Sequence, residues 1–283
     1  YLCARYARER GVGVMLAGDG GDELFGGNER YARQKLFEPY ESVPRALRRG
    51  LLEPLATNAA VRGVPLLRKG ASYVRQAATP LPDRLEDHNL LVRLGVERLF
   101  APELLAEIDR EAPLRLRRDV WSQAKCASTI NHLLHYDWRF TLADSDLPKV
   151  REATRLAGVE ARYPLLDSAL DAFALRLAPD MKLRGRQLRW FFKEALRGFL
   201  PDEILKKSKH GFGLPFGAWV VGHPPLTEFI RATIDRLLAR GWFQAPFVRE
   251  ILDQRLREHP GYYGELIWLL TVLELRLSRV GNN

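Results

Sequence analysis

The sequence predicts an α/β fold: a short piece of open sheet that ends in a glycine-rich loop, followed by a predominantly α-helical region. Three observations predict it. Val12–Ala17 is an apolar run of β-branched and small residues, the composition of a buried strand, although so short a run also fits a buried helix. Five glycines and three carboxylates follow within the ten residues Gly18–Gly27. From there on, apolar residues recur mostly at helical spacing, with many arginines between them.

The glycine loop carries the chemistry. Glycine allows positive φ and close approach of backbone to a ligand. A glycine-rich turn leaving a strand can aim its N–H groups at phosphate oxygens. Asp19, Asp22 and Glu23 would repel phosphate directly, but carboxylates there can hold Mg²⁺, which takes one or two carboxylates together with substrate phosphates, or can orient an amine. The pattern therefore points to a nucleoside triphosphate, a divalent ion and a nucleophile. A plain surface turn is the competing reading of the same residues.

Each element is read in chain order. Tyr1–Val12 is the end of an amphipathic helix that feeds the strand. Glu29–Phe37 starts a helix after the glycine pair, and Pro39 and Pro44 break the chain near there. Pro44–Ala56 is helical, and Ala60–Ala78 is expected as two short helices divided at Gly63 and Pro65. Asp83-x-x-Glu86 has capping-box form ahead of a helix through Leu94. Pro102–Arg110 is another short helix, with proline near its first position. Asp119–Phe140 is the longest uninterrupted helical pattern of the middle region. His132 and His135 share a face there at i, i+3, but no third metal ligand stands at a sensible spacing, so they read as core-edge histidines. Asp144–Gly158 is a helix stopped by its glycine. Glu160, Arg162 and Asp167 flank Pro164; as a bracing set they would form a buried ion pair and cap the helix Ser168–Leu177. Gln187–Leu200 is amphipathic, and Pro201–Leu205 begins another short helix. Lys206, Lys207 and Lys209 surround Ser208 in a basic loop, followed by Gly211-Phe212-Gly213, which suits a mobile segment. The tail from Pro224 to Arg279 is helical, with a frayed end at Gly281–Asn283.

Composition bounds the class. The 283 residues can form one large domain or two small ones, with 46% hydrophobic and 28% charged residues. The net charge of +9 is scattered and has no dense basic run, so nucleic acid is not the expected partner. Two cysteines, Cys3 and Cys126, exclude a disulfide scaffold and are read as reduced, partly buried thiols of a cytoplasmic protein. No run of 18 apolar residues indicates a membrane span.

Three ordered segments resemble the synthetase domain of asparagine synthetases and related ATP-dependent amidotransferases. Leu16–Gly27, LAGDGGDELFGG, is similar to the signature LSGEGADELFGGY. Asp146–Asp167 is similar to L-x-K-x-D-R-x-S-M-x-x-G-L-E-x-R-x-P-F-L-D, and Lys206–Trp219 to R-x-K-x-G-F-x-x-P. Lys182–Leu200 with Pro201-Asp202-Glu203-Ile204 matches the lead-in L-x-x-x-L-P-x-x-I. The resemblance implies a partial adenine-nucleotide-binding, ATP pyrophosphatase-like parallel sheet in residues 1–30 and a mostly helical part in residues 31–283, together the C-terminal part of one such domain. The chain opens on Tyr1, and neither the S-G-G-x-D-S pyrophosphate loop nor a glutaminase domain is found in it, so a longer parent chain or a separate glutaminase subunit is expected.

The resemblance also implies ATP and Mg²⁺, a small-molecule carboxylate (aspartate or a related acid), and ammonia derived from glutamine. Ala17, Gly18, Gly20 and Gly21 would present backbone to the nucleotide, with Ala17 lacking the usual serine hydroxyl. Asp19 takes the place of a catalytic glutamate, one methylene shorter, and Asp22 that of a ligand to Mg²⁺ or to the substrate amine. Glu23, Glu160 and Arg162 are substrate-side or bracing residues. Lys207 takes the arginine place of the basic loop, and Lys209 the catalytic lysine place, where its charge would stabilise departing pyrophosphate. Arg151-Glu152-Ala153-Thr154-Arg155 departs from D-R-x-S-M; the arginine in the methionine position either reshapes the acceptor pocket or points outward. The alternative reading is a non-catalytic remnant or partner subunit, with a basic helical nucleic-acid binder ranked behind it, and a homodimer is the expected assembly.

Overall fold

In the computed structural model, residues 1–58, 64–207 and 213–280 are described. The expectations for Ala60–Gly63, for Lys209 and its loop, and for Gly281–Asn283 lie outside them. The chain divides into two compact units, Tyr1–Arg84 with Leu114–Ser208, and Leu85–Pro113 with Lys209–Asn283.

The first unit opens with α1 (Leu2–Glu9), which leads into β1 (Val14–Leu16). β1 pairs in parallel with β2 (Glu160–Arg162), in the register Val14 to Glu160, Met15 to Ala161 and Leu16 to Arg162. The strand is where the apolar run predicts it, but it is not buried: Val14 is 40% and Leu16 72% exposed. A parallel sheet normally has both faces covered, and two strands are too few to provide that cover.

After the loop come α2 (Gly21–Phe25) and α3 (Glu29–Gln34). α2 is only five residues long because glycines in left-handed backbone bound it at both ends, at Gly20 and Gly26. Its Leu24 and Phe25 are buried against Ala174, Leu177 and the rings of Trp138 and Phe192. α3 is capped by Asn28, whose side chain accepts from the Arg30 amide at 3.1 Å. A separate small core joins Phe37, Tyr40 and Ala77, the last on α4 (Pro65–Ala78).

The middle region departs from the sequence pattern. The helix expected over Asp119–Phe140 is broken: α5 (Ala112–Gln123) ends, and α6 (Thr129–Asp137) restarts with Ser128 capping the Asn131 amide. α6 then runs without interruption through a π-helical stretch, Trp138–Asp146, into α7 (Leu147–Leu156). The capping serine at Ser128 decided the break, because its hydroxyl offers the backbone a local acceptor. Gly158 stops the segment after α7 with φ +71°, and Asp167 caps α8 (Ser168–Arg176), accepting from the Ala169 amide at 2.9 Å.

Two further expectations are corrected. Asp83 does not cap a helix; its carboxylate pairs with Arg118, and the helix Leu90–Leu94 is capped by Asn89. Gln187–Leu200 is not one helix. Its start forms β4 (Gln187–Leu188), a hairpin partner of β3 (Leu183–Arg184), and only α9 (Trp190–Ala195) is helical before the segment Asp202–Lys206.

The second unit is built on α10 (Phe216–Gly222), α11 (Pro224–Leu238), α12 (Ala245–Glu250) and the 21-residue α13 (Pro260–Val280). Leu237, Val248, Ile251 and Ile267 are fully buried at its centre. Glu274 of α13 is buried and takes a bidentate contact from Arg240, at 2.6 and 3.1 Å. Among the described residues no helix is long and apolar enough to cross a membrane.

Candidate active site

The glycine loop leaves the carboxyl end of β1, the end at which open α/β sheets gather ligands. The Ala17 amide donates to the Arg162 carbonyl at 2.8 Å and fixes the point where the chain leaves the sheet. Nothing lies within 4 Å of where a side chain on Gly18 would start, so a ligand can approach the backbone there. Gly20 has φ +92°, and a Cβ on it would stand 2.2 Å from Leu166 Cδ2. Backbone conformation and the neighbouring leucine both demand glycine at that turn. Ala17, Gly18, Asp19, Gly20 and Gly21 follow one another through a turn beside β2 that is open at Gly18 and covered by Leu166 at Gly20.

The loop carboxylates separate into three environments. Asp19 acts electrostatically on Tyr163: burial pushes the phenol pKa up, and the Asp19 charge raises it further. The Tyr163 hydroxyl is buried without a hydrogen-bond partner among the described residues. Asp22 turns towards the backbone of Gly27, where a Cβ would meet Asp22 Oδ1 at 1.8 Å, and towards Arg189 Nη1 at 3.6 Å. Arg189 holds a left-handed backbone, φ +53°, which a non-glycine residue rarely adopts. A cation at Asp22 would compete with that guanidinium. The donor set then fits Mg²⁺ only if phosphate oxygens supply most of its ligands.

Glu23 faces inward and is 7% exposed. Burial raises its carboxyl to about 7, with smaller upward pushes from Asp22 and Asp137. Asp137, at 1% exposure, accepts Arg30 Nε at 2.9 Å, Arg30 Nη2 and the Tyr31 hydroxyl. Burial outweighs these partners and raises the Asp137 carboxyl as well. Arg30 Nη2 also donates to Thr141 Oγ1 at 2.9 Å, so α3 is tied to the π-helical stretch. Glu23 further lines a cavity of about 610 Å³ with Asn131, His135, Trp138 and Lys182. Lys182 is 4% exposed and donates to Asn131 Oδ1 at 3.2 Å; burial lowers its pKa.

Glu160 and Arg162 pair at 2.8 Å on one side of β2, as i and i+2 on a strand must. The expectation of a buried pair is corrected: they are 57% and 62% exposed, because β2 is covered by too little structure to bury them. The Arg162 hydrogen bond holds the Glu160 carboxyl below its ordinary value. Arg155 points outward, pairing with Glu152 at 2.7 Å, and Arg151 meets the same carboxylate at 3.3 Å. Lys207 is exposed, and Lys209 lies outside the described residues. His132 Nδ1 lies 3.2 Å from the Ser128 carbonyl and 3.3 Å from Cys126 Sγ; no cluster of three or more metal-capable side chains forms among the described residues. Cys126 is half-buried, whereas Cys3 is exposed, contrary to expectation, because its turn of α1 faces outward.

Sequence reading missed Asp137, Lys182, Arg189 and Tyr163. Asp137 interrupts the apolar pattern of α6 between Leu134 and Trp138, which was the available signal. The other three depend on contacts made across the fold and left no local signal.

A sequence model of the asparagine synthase family matches residues 1–278. Asparagine synthetase (glutamine-hydrolysing) 1 of Bacillus subtilis (strain 168) is 24% identical over 254 residues, covering 89% of this chain and 38% of that protein. The putative asparagine synthetase (glutamine-hydrolysing) of Mycobacterium bovis is 25% identical over 286 residues, covering 97% of this chain and 40% of its own. Amidase chry2 of Gibberella zeae is 23% identical over 267 residues, covering 84% and 38%. The chain thus spans about two fifths of the length of the curated relatives it matches. No solved structure matches.

Proposed function

We propose, from the premise that the chain belongs to the asparagine synthase family, that it forms the C-terminal part of an ATP-dependent amide-forming domain. The observation that carries this reading is the Gly18–Gly21 turn, open at Gly18, at the carboxyl end of the β1–β2 pair, with Asp19 on it and Asp22 just after it. A substrate carboxylate, aspartate or a related acid, attacks the α-phosphorus of ATP; the bond to the β,γ-unit breaks and pyrophosphate leaves. Ammonia then attacks the acyl carbon of the adenylate, AMP departs with the bonding pair, and the amine loses a proton.

Backbone groups of Gly18, Gly20 and Gly21 cradle phosphate in this reading, and Asp19 accepts the ammonium proton or orients the amine. Mg²⁺, held by phosphates and Asp22, would neutralise charge on the leaving group. Lys209 would offset the charge that grows on pyrophosphate, with Lys207 beside it in sequence. The exposed ion pair of Glu160 and Arg162 borders the same turn, since Arg162 anchors Ala17. Ammonia comes from glutamine through a glutaminase domain of the parent chain or a separate subunit, the whole acting in the cytoplasm, with a homodimer as the proposed assembly.

A second reading has its own observation. The exposed faces of Val14 and Leu16 leave the sheet uncovered, which favours a half-site that works only with strands from another segment or subunit. One experiment addresses both: pyrophosphate release from ATP with aspartate and ammonium, by the chain alone and by the parent protein, in the native form and with Asp19→Asn. The amidotransferase reading expects carboxylate-dependent release in the parent protein and a fall of about 100-fold in the variant. Release by the parent but not by the chain alone supports the half-site. ATP turnover in neither, or release untouched by Asp19→Asn, overturns the assignment.

A further inference from the structure

Between Tyr40 and Arg84 the first unit has a groove of about 400 Å³ whose charged walls are unbalanced. Arg45, Arg48, Arg49 and Arg84 line it, against two carboxylates, Glu41 and Glu53. Both carboxylates are already engaged: Glu53 accepts the Tyr40 hydroxyl at 2.8 Å, and Glu41 accepts Arg84 Nη2 at 3.1 Å. Arg84 is 5% exposed and fully occupied, donating also to the carbonyls of Thr79 and Ala77 and lying over the Phe37 ring. It is a fixed piece of wall.

The other three guanidiniums differ. Arg48 lies over the Tyr40 ring, 5.2 Å from its centroid, which orients it, yet its Nε is buried with no acceptor among the described residues. That Nε is closed to a ligand as it is to water, so in the groove only the Nη groups of Arg48 are left to donate. Arg45 and Arg49 stand exposed at the rim. Their spacing follows from the helical run Arg45–Leu52, which puts residues three and four apart on one face.

We infer that this groove binds the phosphoryl group of a small phosphorylated molecule, with Arg45, Arg48 and Arg49 donating to its oxygens. Arginine forks match phosphate oxygens in pairs, which a single ammonium does not. The volume exceeds what one inorganic phosphate fills, and the apolar wall at Ala77 and Leu81 receives the remainder of the ligand. A soluble phosphorylated metabolite and the phosphate of a lipid headgroup share this chemistry, so the test separates them.

Inorganic pyrophosphate is titrated calorimetrically into the full chain and into the Arg45→Ser/Arg49→Ser double variant, both substituted positions being exposed and the fold of the variant being checked by circular dichroism. Sedimentation with phosphatidic acid vesicles, against phosphatidylcholine vesicles, is run on the same pair. The inference expects at least a tenfold loss of pyrophosphate affinity in the double variant, and the same loss in Arg48→Lys, which keeps the charge but not the fork. Binding confined to phosphatidic acid vesicles and lost in the variants assigns the groove to a headgroup. Pyrophosphate binding that the variants leave unchanged belongs to the glycine turn and overturns the inference, as does absence of binding in both arms.

Discussion

Replacing Glu23 with glutamine isolates the cost of burying a carboxylate inside α2. Glu23 is 7% exposed and its carboxyl is held at about 7, against 4.5 for the free side chain. That gap corresponds to about 3 kcal/mol of preference for the protonated form. The sign follows from proton binding. Between 4.5 and about 7 the folded chain keeps a proton that the unfolded chain has released, so rising pH favours unfolding, and the effect levels off above about 7. From about pH 5 to about pH 8 the native chain should lose about 2–3 kcal/mol through this one group. Glutamine keeps the shape and cannot titrate, so Glu23→Gln should lose that much less over the same range. Asp137, whose carboxyl is also raised by burial, titrates in both proteins and is electrostatically coupled to Glu23, so the comparison includes the change in that coupling. Urea unfolding at the two pH values measures the difference, and the ¹³C shift of the Glu23 carboxyl gives its midpoint directly. If parent and variant have the same pH dependence, or if the carboxyl titrates near 4.5, burial does not hold Glu23 protonated and the reasoning fails.

Three other perturbations have defined outcomes. Arg30→Met strands the Asp137 carboxylate at 1% exposure and should cost about 3 kcal/mol in urea unfolding, much of it recovered in the double variant with Asp137→Asn. Gly20→Ala forces a side chain into φ +92° and onto Leu166, so it should cost at least about 1 kcal/mol and also disturb the turn proposed to hold phosphate. Ile267→Ala opens a hole at a position with 0% exposure in the second unit and should cost about 2–5 kcal/mol, read from thermal unfolding.

The first strand and the glycine turn were legible because their signals are local, whereas β2 carried no such signal. A short apolar run, then glycines where a turn needs positive φ, requires no knowledge of the rest of the chain. Asp167 as a cap and Gly158 as a stop were legible for the same reason. Failures came where a local pattern met a competing partner. Asp83 and Glu86 satisfy the spacing of a capping box, but Arg118 captures Asp83 instead. Gln187 and Leu188 fit an amphipathic helix, yet they pair with Leu183 and Arg184 across a Gly185-Arg186 turn. The charge environment of the site was the least legible. Whether Glu23 is a surface acid or a buried one depends on α6 and α8 closing over it, and neither is near it in sequence.

By itself, then, the sequence determined the order of chemistry along the chain: a strand, a glycine turn bearing Asp19 and Asp22, and an alternation of charged residues at Glu160 and Arg162, because spacing and residue type are properties of the local chain. Tertiary structure alone decided that Glu160 and Arg162 are exposed, that Asp22 shares its carboxylate with Arg189, and that Glu23, Asp137 and Lys182 are buried. Desolvation and ion pairing depend on which distant segments pack together, and pKa follows from them rather than from residue identity.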